Sequence, residues 1–161
     1  MSFNGYEKAR RKKRTNRMAL PFPHVMRLRV RYSETDQLGT FYNSRALEWF
    51  ECGRTELLRA TGAAYAEMEH RGVCLPLVEA HVNYLGRARY DDLLEMKTVL
   101  SVAGKASFRF DVSVVQAHGG GSVASGYTVH AITNTAGKPT RCPPWLREAL
   151  ETAKVRSGGS V

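Results

Sequence analysis

Asp36 stands at the end of an apolar-alternating run, just before a glycine turn at Gly39 and a helix that becomes readable from about Ser44. A carboxylate there has two uses against a carbonyl: it attacks the carbon itself, or it takes a proton from an attacking water. A carboxylate seven residues ahead of a plausible helix N-terminus is one way to build a site that attacks a carbonyl. Few other residues compete. His81 and His130 fall in strand-like segments and His24, His70 and His118 near segment ends, none with a partner at ligand spacing, so they read as surface or satisfied histidines. Cys52, Cys74 and Cys142 form no CxxC pair and no metal-ligand set, which points to free thiols in a reduced, cytoplasmic protein. No serine lies in a nucleophile elbow.

The elements that must position Asp36 follow from periodicity. Val25 to Glu34 alternates, with Met26, Leu28, Val30 and Tyr32 on one side and Arg27, Arg29 and Arg31 on the other, as in a half-solvated strand. From about Ser44 the period changes: Ala46, Leu47, Trp49, Phe50, Gly53, Leu57 and Leu58 recur at helical steps until Gly62. Asn43 or Ser44 suits the N-cap, and Glu48 and Glu51 read as charge favouring the dipole. This helix is apolar enough to require cover. A second helical piece is expected over Ala63 to His70. Strand-like segments follow at Val73–Leu85, Leu93–Ala103, Ala106–Gln116 and Val123–Thr135, with a two-residue hairpin at Gly104-Lys105 and a tight connection at Gly119–Gly121. Pro144–Lys154 reads as a short C-terminal helix. The order of strand, apolar helix and four strands predicts an α+β fold in which one antiparallel sheet of about five strands curls round a central helix.

A chain of 161 residues with 43% hydrophobic composition suits one domain. Its net charge of +9 is unevenly held: residues 1–20 carry seven Lys/Arg against one acid, so only three net charges belong to the rest. Residues 1–20 are expected to be a basic, solvated arm, unless Met18 is the true initiator. Residues 21–154 form the domain and 155–161 a frayed tail. The arm would serve a nucleic-acid binder, but the domain shows no base-stacking aromatics interleaved with basic residues. No apolar run approaches the roughly 20 residues that cross a bilayer.

The stretch RVRYSETDQLGTFYNSRALEWFECGRTELL resembles the N-terminal signature of the 4-hydroxybenzoyl-CoA thioesterase-like, or YbgC-like, branch of hotdog-fold acyl-CoA thioesterases. Its most specific part is Y-x-x-T-D-x-x-G-x-x-Y leading into W-F-E-x-x-R. LVEAHVNYLGRARYDDLL and GKPTRCPPWL are similar to later parts of the branch, and the likeness runs in order from about Met26 to Leu150. The resemblance implies a hotdog fold, a curled sheet wrapped around one long central helix, and hydrolysis of an acyl-CoA or acyl-carrier-protein thioester without cofactor or metal. It makes Asp36 the catalytic carboxylate and places the oxyanion donor, a backbone N–H, at Asn43. Members of the branch commonly carry His there, and a backbone donor survives that change whereas a proton-handling side chain does not.

The resemblance also offers Tyr42, the last tyrosine of the motif, and Arg89, Lys105 and Arg141 as substrate-binding residues, the cations meeting coenzyme A phosphates. Arg87 and Lys138 are weaker candidates. Family members pair exposed strand edges between copies, so a homodimer or homotetramer is expected. A second hotdog branch holds its carboxylate on the central helix, which makes Glu48 and Glu51 the rivals of Asp36. Another alternative is a polyketide-releasing thioesterase of the enediyne type, which usually lacks the acidic residue.

Overall fold

The computed structural model describes residues 23–157. The basic arm expected over residues 1–20 and the end of the expected tail, residues 158–161, lie outside the described residues.

Strand β1 (His24–Arg29) follows the predicted alternation: its even positions are half-buried and its arginines exposed. It stops at Arg29 and does not continue to Glu34. The reason is local. The Glu34 carboxylate reaches back to the Arg31 N–H at 2.7 Å, and Tyr32–Glu34 closes into a 3₁₀ turn. Helix α1 (Arg45–Ala60) buries Ala46, Trp49, Phe50, Gly53, Leu57 and Leu58 of the stripe that the sequence period marks, while Leu47 is exposed. A short α2 (Tyr65–His70) follows, then β2 (Leu77–Tyr84), β3 (Leu93–Gly104), β4 (Ser107–Gln116), β5 (Ser122–Ala131) and α3 (Pro144–Ser157). α1 has 16 residues and α3 has 14, so the expected single long helix is a principal helix of ordinary length with two companions.

The five strands form one antiparallel sheet in the order β1-β3-β4-β5-β2. In β3 and β4, Leu94, Met96, Thr98 and Leu100 share a face with Phe108, Phe110, Val112 and Val114, and all eight are buried. α1 lies against this face, chiefly on β3 and β1. Gly53 allows the contact: a Cβ there would collide with Thr98 Oγ1, so helix and strand approach closely only where the side chain is missing. Each large apolar side chain buried in this way contributes about 1.5–3 kcal/mol. The core divides into two clusters, one around Phe41, Trp49 and Phe50 and one around Leu57, Phe108, Phe110 and Leu146.

Two further expectations shift. The β3–β4 loop is Lys105-Ala106 and not Gly104-Lys105, because an irregularity between Val102 and Gly104 advances the register and pairs Gly104 with Ser107. The segment from Val73 reaches the sheet late: Cys74 makes only an isolated bridge to Thr133 before β2 begins at Leu77. β2 is one of the two edge strands, β1 being the other. Almost all of β2 is exposed, including Leu77, Val78 and Tyr84 at more than half of their surface.

Candidate active site

The chain from Glu34 to Arg45 leads into the N-terminal end of α1 and is held from two sides. From below, Glu34 is 3% exposed and accepts the Trp49 indole N–H at 3.1 Å and the Arg31 guanidinium at 3.0 Å on Oε1. Its backbone carbonyl accepts the Tyr42 N–H at 2.8 Å, which joins the residues before Asp36 to those before the helix. Burial pushes the Glu34 carboxyl up, but the hydrogen bonds from Arg31 and Trp49 outweigh it, and the group titrates below the ordinary carboxylate range. From the side, Thr40 and Phe41 dock on Ala88: the Phe41 N–H donates to the Ala88 carbonyl at 2.8 Å. Phe41 packs between Trp49, at 4.8 Å between ring centroids, and Tyr84, at 6.1 Å.

Asp36 sits in the tight turn that this clamp supports. Its Oδ1 accepts the Leu38 N–H at 2.8 Å, its own N–H donates to the Thr40 carbonyl, and Gly39 closes the turn at φ +69°, where other residues are strained. Oδ2 accepts no hydrogen bond from the described residues. One oxygen is thus tied down and the other has no partner among the described residues.

The helix start supplies the complement. Ser44 is the N-cap, and its side chain makes no capping bond. Among the described residues, neither the Asn43 N–H nor the Ser44 N–H has an acceptor. Both are nonetheless oriented, because a planar trans peptide points its N–H opposite to its C=O. The Tyr42 carbonyl accepts the Arg45 N–H at 2.9 Å, which aims the Asn43 N–H. The Asn43 carbonyl accepts the Tyr84 hydroxyl at 2.8 Å, which aims the Ser44 N–H. Two aimed, unpaired donors at a helix start suit an oxyanion.

Not all of the residues expected at the site come together. Asp36, Tyr42 and Asn43 share the loop, and Arg89 is adjacent through its neighbour Ala88. Lys105 and Arg141 do not join them. Lys105 follows the far end of β3, while Arg141 follows Thr140, whose N–H donates to Ile132, itself bonded to Ala106. Nearly the whole length of β3 separates this pair from the Asp36 loop. Glu48 pairs with Arg45 at 2.6 Å and Glu51 lies 3.9 Å from Arg54, both exposed. Glu79 accepts the Tyr127 hydroxyl on an exposed face. His130 is a satisfied core histidine, bonded to the Leu75 carbonyl and Thr128 Oγ1. No group of three or more potential metal ligands exists among the described residues.

Glu34 and Tyr84 also belong to this arrangement and are not among the residues expected from the sequence. Glu34 had a usable signal: it falls at the same parity as Met26, Leu28 and Val30, and a carboxylate at a core-facing position needs partners. Tyr84 had none, because only the folded chain brings β2 to the helix start.

The family model for the thioesterase-like superfamily matches residues 30–150. YneP of Bacillus subtilis is 38% identical over 71 residues, which are 44% of this chain and 51% of that protein, so the chain spans about half of that relative's length. The acyl-CoA thioester hydrolase YbgC of Escherichia coli is 30% identical over 90 residues, 56% of this chain and 67% of that one. The crystal structure of protein TT1821 from Thermus thermophilus superposes with a TM-score of 0.75 at 29% identity, covering 82% of this chain and 98% of the other.

Proposed function

The chain belongs to the thioesterase-like superfamily, and on that premise we propose that it hydrolyses an acyl thioester, with coenzyme A as the carrier. The observation that carries the reading is the pairing, in one clamped loop, of the free Asp36 Oδ2 with the aimed N–H groups of Asn43 and Ser44. The relative YbgC, named as an acyl-CoA thioester hydrolase, supports the choice of carrier.

The chemistry runs between these two groups. A thioester carbonyl lies against the N–H pair, which stabilises the charge that builds on its oxygen. Asp36 Oδ2 attacks the carbonyl carbon and gives an acyl-enzyme anhydride, or it takes a proton from the water that attacks. The carbon–sulfur bond then breaks, the thiolate takes up a proton, and water ends as the second oxygen of the free acid. Arg89 is the cation placed to meet a coenzyme A phosphate near this loop. Lys105 and Arg141 reach the same thioester only if a second copy contributes them. The exposed β2 edge suits such a copy: it presents unpaired backbone groups beside Leu77, Val78 and Tyr84, and Tyr84 already touches the Asn43 carbonyl. A homodimer, or a tetramer of dimers, would cover it, and the sheet would then enclose α1 as in a hotdog fold.

The test is thiol release from short-chain, long-chain and aromatic acyl-CoAs by the native chain and by Asp36→Asn. The substitution keeps an oxygen for the Leu38 N–H but removes the charge, so kcat should fall by about 10²–10⁴ with KM little changed. Glu48→Gln and Glu51→Gln should turn over normally. Full activity in Asp36→Asn together with loss in Glu51→Gln would move the chemistry to the helix and refute the reading.

A further inference from the structure

The end of the sheet remote from Asp36 holds a cavity of about 400 Å³ between the β3–β4 hairpin and α3. Its walls are apolar: Leu100, Val102, Phe108 and Ile132 from the sheet side, and Leu150 from the helix. Burial pushes the Cys142 thiol up, so it stays protonated and adds no charge to the lining. The charged residues of the lining are Lys105, Arg147 and Glu151, and all three are exposed, at the mouth. None of them is in an ion pair among the described residues. The mouth is therefore basic by one charge.

We propose that this cavity is a second binding site, separate from the Asp36 loop, for an aliphatic monocarboxylate. The size is that of small-molecule sites, which run to about 300–1,000 Å³ and combine apolar walls with a few polar groups that fix orientation. Branched aliphatic walls with one aromatic ring suit an alkyl chain, whose entry removes apolar surface from water. The head group follows from the charge. Two cations against one carboxylate favour an anion over a cation, and a guanidinium receives a carboxylate through two parallel hydrogen bonds. The ligand belongs to the same chemical class as the acid released by thioester hydrolysis, but the site does not depend on that reaction.

Isothermal titration of the full chain with decanoate, kept below its micelle concentration, tests the assignment. One decanoate should bind per chain, at least tenfold more tightly than decyltrimethylammonium. Arg147→Glu, a surface change, should weaken it by about tenfold, and Leu150→Trp, which fills the cavity, should abolish it. Asp36→Asn should bind as the native chain does, which separates this site from the catalytic loop whatever becomes of the proposed activity. Absence of binding to the full chain would overturn the proposal. So would binding that Arg147→Glu and Leu150→Trp leave intact, or a preference for the cationic probe.

Discussion

The two ends of α1 are held by different means. At its start, Glu34, Tyr42, Phe41, Ala88 and Tyr84 join through directional bonds, so that each peptide near Asp36 has a set orientation. At its end, Leu57 and Leu58 pack with Phe108, Phe110, Ile132 and Leu146 in a cluster that leaves an open cavity beside α3. Apolar burial stabilises without specifying direction, whereas hydrogen bonds specify direction and add little net energy. The reacting carboxylate and oxyanion donor proposed for the helix start need direction. The remote end needs only to close the core, and it leaves a cavity open without loosening the bonds at the helix start.

The largest expected effect breaks the remote end alone. Leu146 is fully buried in the cluster under α3. Leu146→Ala should cost about 2–5 kcal/mol of stability from lost transfer energy and the hole left behind. At a temperature where the variant stays folded, kcat should be unchanged. Denaturant unfolding and thiol-release assays on the same preparation check both halves. A fall in kcat of tenfold or more would mean that the two ends are coupled.

Glu34→Gln tests the clamp. It leaves an amide N–H₂ group facing at least one of the donors from Arg31 and Trp49, so a buried donor loses its acceptor at a cost of about 1–3 kcal/mol. The consequence for catalysis is separate: kcat should fall about ten- to a hundredfold with KM nearly constant, because the loop and not a substrate contact has changed. The pH dependence has a definite sign. The folded-state pKa of Glu34 is depressed, so its ionised form contributes stability that is fully present above the unfolded value of about 4.3 and is lost as pH falls through the folded value. The stability gap between native chain and variant should therefore be full at pH 6 and shrink below about pH 4.3. A gap independent of pH would show that the Glu34 charge contributes nothing.

The contrast between the ends also explains what could be read in the sequence. α1 was legible because Trp49, Phe50, Leu57 and Leu58 repeat at the helical period, and β3 and β4 because their core residues alternate over ten or more positions. Asp36 and Asn43 were legible as neighbours because the loop is local. The failures come from contacts and irregularities that no periodic pattern marks. Val25 to Glu34 looked like one strand since alternation cannot show a side chain folding back, as that of Glu34 does onto Arg31. Lys105 and Arg141 were grouped with Arg89 by charge, but charge carries no information on which end of β3 a loop will occupy. The hairpin shifted by one residue because an irregularity at Val102–Gly104 has no sequence mark beyond a glycine.

The smallest expected effect is at Tyr84, and it discriminates best between aim and mere contact. Its hydroxyl donates to the Asn43 carbonyl from an exposed position, so Tyr84→Phe should cost no more than about 0.5–1.5 kcal/mol of stability, the net value of one such bond. The ring remains, and with it the packing on Phe41. What is lost is the shorter of two restraints on the Asn43–Ser44 peptide, whose carbonyl keeps the Ala46 N–H at 3.4 Å, and hence the tighter hold on the direction of the Ser44 N–H. If that N–H stabilises the oxyanion, kcat should fall about two- to fivefold while KM holds, since the donor still exists but samples more orientations. Steady-state kinetics with one well-turned-over acyl-CoA measure this directly. An unchanged kcat would leave the Asn43 N–H as the working donor and remove Ser44 from the site. A rise in KM with constant kcat would instead make the hydroxyl a substrate contact.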